Sequence, residues 1–392
     1  MDNRVALAWC QSYEENAVKK AVEILLTSLG GLEHWVQPGQ KVLLKPNLLS
    51  PARPEKAVTT HPMVVKVLAQ KLLDFGAQVL VGDSSGGVVA GKSRTARALK
   101  ISGIEEVCWE LGIEAVDFDT AGVTTVPIKG NFLKDIDVSS AILDVDLIIN
   151  LPKLKTHTAT LITAASKNLY GIIPGMRKAY YHRLADTGDN FFELLVDIIQ
   201  AFPPRLSIVD GVLAMEGNGP GNGTPRPLGI LAGGANTVLL DAVCCRLINL
   251  DPARVTYLCR AEKRGLCNNL NNYDLLGDSI PLPLVKDFRL PNNFWFEMKL
   301  PGLSRYVLSK LQCKPTCNTN KCTGCKLCLD SCPVQAITQE DLGQPVKISP
   351  DLCIECLCCQ ELCPRDAVDL SPVSWFGHLA MKIMERLNKN RL

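Results

Sequence analysis

Long apolar runs are missing from this chain. No stretch of 18 apolar residues occurs among its 392, and the best candidate, Leu228 to Cys245, is broken by Asn236, Asp241 and three glycines. No segment therefore reads as a membrane-spanning helix. A secretory leader is not expected either, because Met1 to Cys10 carries Asp2 and Arg4 without a long apolar core behind them. Net charge is only +2, so bulk electrostatics gives no reason to expect a nucleic-acid partner. Neither G-x-G-x-x-G nor a Walker lysine motif appears, which removes the common nucleotide-binding fingerprints. These absences point to a cytoplasmic protein without a nucleotide site of those kinds.

What the chain has in excess is cysteine. It holds 17, of which eleven lie between Cys313 and Cys363 and the other six are scattered over the first 267 residues. In a reducing compartment such thiols bind metal rather than pair. A disulfide framework would also not need a large cysteine-poor segment attached to it. Within the dense region one internal repeat is plain. Cys322, Cys325, Cys328 and Cys332 recur 31 residues later as Cys353, Cys356, Cys359 and Cys363, and Pro333 and Pro364 close the two sets.

Each set reads C-x2-C-x2-C-x3-C-P. Two-residue gaps let one loop wrap three corners of an iron–sulfur cube, and the fourth thiolate comes from the other repeat. One [4Fe–4S] cluster is thus assigned to Cys322, Cys325, Cys328 and Cys363, and a second to Cys332, Cys353, Cys356 and Cys359. Zinc would be content with C-x2-C pairs and has no use for the third cysteine or the C-P. The segment resembles the bacterial two-cluster ferredoxins over about 45 residues. That resemblance implies low-potential, one-electron transfer and a redox partner protein. Cys358 reads as a small packing residue beside a ligand. Cys313 and Cys317 read as free thiols, with a further metal or a partner as the alternative.

The first 290 residues alternate strand-like and helix-like patterns. Val5 to Trp9, Lys41 to Lys45, Gln78 to Gly82 and Asp146 to Leu151 are short apolar runs of buried-strand type. Helical spacing covers Glu15 to Leu29, Pro62 to Phe75, Ser93 to Ser102, Thr158 to Tyr170, Asn190 to Ala201 and Thr237 to Leu250. The expected fold class is α/β, a mostly parallel sheet with helices on both faces, plus a small α+β ferredoxin-like domain. The expected divisions are an α/β domain over 1–300, a connector over 301–319, a cluster domain over 320–367 and a basic amphipathic helix over 368–392. The Pro- and aromatic-rich stretch from Pro281 to Lys314 is expected to pack on the large domain. The tail spaces Trp375, Leu379, Ile383 and Leu387 helically. It reads as packing on the cluster domain, with peripheral membrane contact as the alternative.

Charge is uneven in the large domain. From Leu151 to Ala185 there is no Asp or Glu, while Lys153, Lys155, Lys167, Arg177, Lys178 and Arg183 occur with His157 and His182. If Lys153 to His157 is extended, Lys153, Lys155 and His157 point the same way. They would then lie outside the carboxyl end of a strand, where open α/β sheets bind ligands. A helix beginning near Thr158 would add the positive potential of its N-terminus. The segment reads as a pocket for a small anionic substrate or cofactor, held by Lys153, Lys155, Lys167 and Lys178. His157 and His182, with Lys167, are the candidates for catalysis or proton transfer; histidine binding of a metal is the alternative. Three further loops read as functional. Lys45-Pro46-Asn47 ends a strand before Thr60-His61-Pro62. Gly82-Asp83-Ser84-Ser85-Gly86-Gly87 follows another. Asp210-Gly211 and Glu216-Gly217-Asn218-Gly219-Pro220-Gly221 form a glycine-rich loop after a strand over Leu206 to Val209.

Together with Leu151-Pro-Lys-Leu-Lys-Thr-His and Lys167-Asn-Leu-Tyr-Gly, these segments resemble the domain of unknown function 362 family over most of residues 1 to 300. Members of that family often carry a ferredoxin module after this domain. Lys45, Asn47, Asp83, Lys153, Lys155, Asn168, Lys178, Asp210, Glu216 and Asn218 are the candidate binding residues. The leading expectation is an iron–sulfur redox enzyme passing electrons to or from the bound anion. Two-electron chemistry would need a converter such as an unidentified flavin or a metal in the large domain. The alternative is an electron-carrying or assembly adaptor that docks to a redox partner.

Overall fold

The short apolar runs become the centre of a 10-stranded sheet. The structure is a computed structural model that describes residues 2–85, 88–89, 92–185, 187–278, 281–291 and 313–372. The chain divides into two compact units, one of residues 1–178 and 187–291, the other of residues 179–186 and 292–392. Residues 301–312 of the expected connector and the helix expected over Trp375 to Leu387 lie outside the described residues. Among the described residues no helix is long and apolar enough to cross a membrane.

From one edge of the sheet to the other the strands are Asp274–Gly277, Arg4–Trp9, Thr224–Gly234, Leu206–Glu216, Leu147–Leu151, Lys41–Pro46, Gln78–Asp83 and Glu114–Asp117. Thr224–Gly234 runs antiparallel to both its neighbours, and the other pairings along this path are parallel. Side chains alternate across the pleat. Ala6 and Ala8, like Val42 and Leu44, join one core with the helices Glu15–Ser28, Pro62–Asp74, Arg94–Ile101 and Ile104–Leu111. Leu7 and Leu43 are equally buried but stand outside that core. The helices Gly188–Ala201, Thr237–Leu247 and Thr256–Lys263 pack in a second group. Both faces are therefore covered, which is why the strands carry apolar residues at successive positions. Glu15–Ser28 shows the helical counterpart: Val18, Ala21, Val22, Leu25 and Leu26 form its buried stripe, each larger side chain contributing roughly 1.5–3 kcal/mol.

Two expectations change. The run Thr158 to Tyr170 is not one helix. It turns back as the strand Leu161–Thr163, antiparallel to Lys153–His157, and only then forms the short helix Ala165–Asn168. The β-branched sequence Thr-Ala-Thr-Leu-Ile-Thr fits a pleated surface better than a helix. Asp210-Gly211 does not open a loop either. The strand continues to Glu216 past an irregularity between Gly211 and Leu213, and residues 217–223 close a hairpin with Thr224–Gly234.

The strand order reverses beside Lys41–Pro46. Gln78–Asp83 and Glu114–Asp117 are added on one side, and then Leu147–Leu151 on the other. At such a switch point the loops leaving the carboxyl ends part and leave a crevice.

In the second unit the repeat is visible in the backbone. Cys313–Cys317 pairs with Val368–Pro372, and Ile337–Thr338 pairs with Lys347–Ile348. The helices Leu327–Asp330 and Cys358–Leu362 correspond in the same way. Left-handed backbone recurs at matching positions: Gly324 and Glu355, Lys326 and Leu357, Gln335 and Asp366.

Candidate functional site

The switch point is built around buried lysines. Lys45, at the end of its strand, puts Nζ 2.6 Å from Asp83 Oδ1, and Asp83 Oδ2 accepts the Leu48 amide at 2.8 Å. Lys153 Nζ lies 2.5 Å from Asp210 Oδ2 and donates to Tyr13 Oη at 2.9 Å and to the Leu213 carbonyl at 3.2 Å. Both lysine side chains are 0% exposed. Burial lowers the pKa of each ammonium, and its carboxylate partner opposes that shift. The stretch free of acidic residues thus finds its counter-charges on other strands. Two of the lysines expected to hold an anion, Lys45 and Lys153, are already neutralised from within.

Lys155 and Lys178 also have neutral oxygens among their partners. Lys155 Nζ donates to Asn47 Oδ1 at 2.6 Å and the Val58 carbonyl at 2.8 Å, both neutral oxygens. Asn47 in turn donates to Asn168 Oδ1, and Asn168 donates to Asn150 Oδ1 and the Pro46 carbonyl. The chain of amides ties the two strands at the switch point together. Lys178 Nζ donates to Ser84 Oγ at 2.8 Å and to the Ser84 carbonyl. Burial brings its pKa down to about 8, with Asp83 and Asp119 opposing. Ser84 Oγ donates to Asp119 Oδ1 at 2.5 Å. Backbone must pass close here: a Cβ on Gly171 would collide with Asp83 Oδ1 and Lys45 Nζ.

Lys153, Lys155 and His157 share one strand, and all three are buried. No helix N-terminus follows them. His157 Nδ1 instead accepts the Ala159 amide at 3.0 Å, which closes the turn before Leu161. Lys167 stands in the helix Ala165–Asn168. His182 is half-buried in the last turn of the helix Arg177–Leu184 and belongs to the other unit from His157. Glu216 is buried and receives Arg289 through Nε at 2.8 Å and its amide at 3.0 Å, which fastens the Pro281–Pro291 segment to the hairpin. Asn218 is exposed in the hairpin loop.

Tyr13 and His61 complete the cluster. Tyr13 Oη donates to Asp210 Oδ1 at 2.7 Å and accepts the Leu213 amide at 3.0 Å. His61 stacks on Tyr13 with ring centroids 3.5 Å apart, and its amide donates to Asp210 Oδ2 at 2.9 Å. Burial lowers the His61 pKa to about 4, with Asp210 opposing and Lys153 reinforcing.

In the second unit the cysteines surround two cavities. One is lined by Cys322, Cys325 and Cys328 of the first repeat and Cys363 of the second. The other is lined by Cys353, Cys356 and Cys359 with Cys332 from the first. The donor set suits iron: four thiols per cavity, with amides directed at sulfur. The Ala336 amide reaches Cys332 Sγ at 3.2 Å and the Ala367 amide reaches Cys363 Sγ at 3.2 Å. Alternation of right- and left-handed backbone turns successive amides inward in such loops. Burial and the neighbouring thiols Cys325, Cys363 and Cys322 raise the Cys328 pKa to about 12, a crowding of like charges that bound iron would relieve. Among the described residues no three His, Cys, Asp or Glu side chains converge to hold a single ion; these thiols surround a space rather than a point.

Each cavity also has a fifth thiol. Cys317 lines the first, and burial raises its pKa to about 11. Cys358, expected as a small packing residue, lines the second.

The family described as "Domain of unknown function (DUF362)" matches residues 42–246, the segment carrying Lys45, Asp83, Lys153, Lys178 and Asp210. The chain belongs to the DUF362 family. A 4Fe-4S dicluster domain matches residues 321–367. The protein is thus a DUF362 member carrying a ferredoxin-like 4Fe–4S domain, and an iron–sulfur electron-transfer protein. A thylakoid-associated protein of Synechocystis is 38% identical over 267 residues, 68% of this chain and 81% of that protein. A pyruvate synthase subunit of Thermotoga maritima is 35% identical over 63 residues, 16% of this chain and 63% of that protein. A ferredoxin of Alicyclobacillus acidocaldarius is 40% identical over 52 residues, 13% of this chain and 64% of that protein. The chain thus covers less than two thirds of each of these last two. Among solved structures, the lactate racemase apoprotein of Thermoanaerobacterium thermosaccharolyticum aligns at 12% identity and a TM-score of 0.38, over 62% of this chain and 57% of that one.

Within the DUF362 segment and its flanks, sequence patterns missed Tyr13, Asn150 and Asp119 as site residues. Asp119 follows the end of the strand Glu114–Asp117, and an acid at the carboxyl end of a parallel strand is a usable signal. Tyr13 precedes a helix near the start of the chain and carries no such mark.

Proposed function

We propose that this protein relays single electrons through two [4Fe–4S] clusters in its C-terminal unit. Cys322, Cys325, Cys328 and Cys363 hold one cluster; Cys332, Cys353, Cys356 and Cys359 hold the other. The observation that carries this reading is the grouping of each triplet with the opposite repeat's fourth cysteine around one cavity. Bound there, the clusters supply one-electron steps at potentials set by the surrounding donors. Ligands of this kind must stay reduced, which fits the cytoplasm.

The crevice of the large unit is the place for the other reactant, a small anionic substrate or cofactor. Its position at the switch point supports this, as does the gathering of Lys155 and Lys178 there with Asn47 and Ser84. Asn47, Asn168 and Lys167 complete the polar wall. Lys45–Asp83 and Lys153–Asp210 act as fixed struts, while Glu216 and Asn218 belong to the adjoining hairpin. His157 and Lys167 are the proton-transfer candidates of an oxidoreductase in this unit, and a flavin or a further metal would convert between one- and two-electron steps. The internal neutralisation of Lys45 and Lys153 favours a second reading, an electron carrier or assembly adaptor that hands electrons to a protein partner.

Anaerobic purification of the full chain tests the core of the proposal. Iron and acid-labile sulfide should each approach about eight atoms per chain, with a reduced paramagnetic spectrum of two interacting clusters. Cys363→Ser should perturb the cluster of the first triplet and spare the other. A preparation holding zinc, or one cluster only, would sink it.

A further inference from the structure

The duplicated segment supplies an internal control for what surrounds each cavity. Residues 31 positions apart correspond, as Cys322 does to Cys353. The first cavity is lined by Thr323, Lys326 and Arg365. The residues at those places in the second are Ile354, Leu357 and Val334, all apolar and all in its lining. The backbone does not cause the difference. Lys326 and Leu357 share one left-handed conformation, at φ 64° and 60°, each just before a short helix. Exposure differs in the same sense. Cys325 is exposed and Lys326 half-buried, whereas Cys356 is half-buried and Leu357 buried.

The other charges near the repeats largely cancel. Lys321 pairs with Asp366 at 3.5 Å and Lys314 with Glu355 at 3.7 Å. Asp330 and Glu361 stand at equivalent places. Among the described residues Lys326 and Arg365 have no ion-pair partner. Amide donors are nearly matched: Ala367 reaches Cys363 Sγ and Ala336 reaches Cys332 Sγ, both at 3.2 Å. The Glu355 amide adds a longer contact to Cys353 Sγ at 3.4 Å, one dipole at the second cavity against two full charges at the first. A cluster gains negative charge on reduction, so nearby cations and access to solvent both favour its reduced form. We infer that Lys326 and Arg365 give the first cluster the higher reduction potential, so that a singly reduced chain carries its electron there, beside the surface at Cys325. This rests on the two-cluster reading above and adds a direction to it. An electron that enters at the second cluster settles on the first; the second is oxidised and the first reduced by one electron, with no bond made or broken. The first cluster is then the one that hands electrons to a one-electron partner.

The test is an anaerobic redox titration of the full-length holoprotein, followed by electron paramagnetic resonance. Wild type should show two midpoint potentials, with at least a tenfold preference of the first electron for one cluster, a separation of about 59 mV. Lys326→Leu and Arg365→Val install the residues that the repeat carries at the equivalent places. Each should keep its iron and sulfide and move the higher potential downward, and together they should close most of the gap. Lys326→Arg and Arg365→Lys, which keep the charge, should leave both potentials near wild type. Added salt should narrow the wild-type gap by screening the two cations; this measurement needs no substitution and decides alone where a variant loses iron. Equal potentials in wild type, a gap indifferent to salt and to both substitutions, or movement of the lower potential instead of the higher would overturn the inference and leave the two-cluster reading intact. A wild-type chain without two clusters would remove that reading itself.

Discussion

His61 is held neutral where an exposed histidine would be free to take a proton. It stacks on Tyr13 and its Nδ1 caps the helix Pro62–Asp74 by accepting the Met63 amide. Its folded pKa of about 4 lies below the ordinary value of 6.5. The unfolded chain therefore binds the proton first as pH falls, and the stabilising contribution is complete above about pH 6.5 and lost on the way down to about 4. His61→Asn keeps a capping acceptor but removes the titration. Denaturant unfolding of the large unit between pH 7 and 5 should show wild type losing stability relative to the variant as pH falls. Parallel profiles would refute this. At this scale the sequence was half legible. An extended reading put Lys153, Lys155 and His157 in one segment, and they do form one strand. It could not announce that Asp83 and Asp210 would neutralise Lys45 and Lys153, because those partners arrive from distant strands and only tertiary structure pairs them.

Among elements, the left-handed positions of the repeat are the informative ones. Gly324 meets the requirement at no steric cost, but its counterpart Glu355 has a side chain, as do Lys326, Leu357, Gln335 and Asp366. A residue with Cβ in that region costs about 1–2 kcal/mol, partly offset by the greater chain entropy of glycine when unfolded. Gln335→Gly should therefore stabilise the holo unit by up to about 1 kcal/mol, measured as an upward shift of its thermal transition. Destabilisation would mean that Gln335 makes a contact worth more than its strain. The cysteine spacing made the two loops legible, and short apolar runs gave Arg4–Trp9, Lys41–Pro46, Gln78–Asp83 and Leu147–Leu151 to within one residue, whereas Leu206–Glu216 runs seven residues past its expected end and Thr224–Gly234 carried no such run. Thr158 to Tyr170 misled because β-branched residues at helical spacing satisfy both patterns, and the pairing of Thr156 with Ile162 decides for the strand.

Over the whole molecule, the apolar core of the large sheet and that around Cys328, Cys359, Ile337, Val346 and Val368 share no residue. The small core depends on residues that border the two cavities, so its folding and its metal loading are one equilibrium. Stripping iron with a chelator under oxidising conditions should abolish amide protection in Ile337–Thr338 and Lys347–Ile348 while leaving Lys41–Pro46 and Leu147–Leu151 protected against hydrogen exchange. Loss of protection in the large sheet as well would show the two units to be one cooperative body. The interleaving of the repeats around the cavities also bears on how the protein is made. A nascent chain that has just exposed Cys332 displays four cysteines in a row, yet not one finished ligand set. On the proposed ligand sets, one closes only when Cys359 emerges and the other at Cys363. Until those last few residues leave the ribosome, every early thiol is a half-built socket, so the iron must arrive after nearly all of the unit has been synthesised.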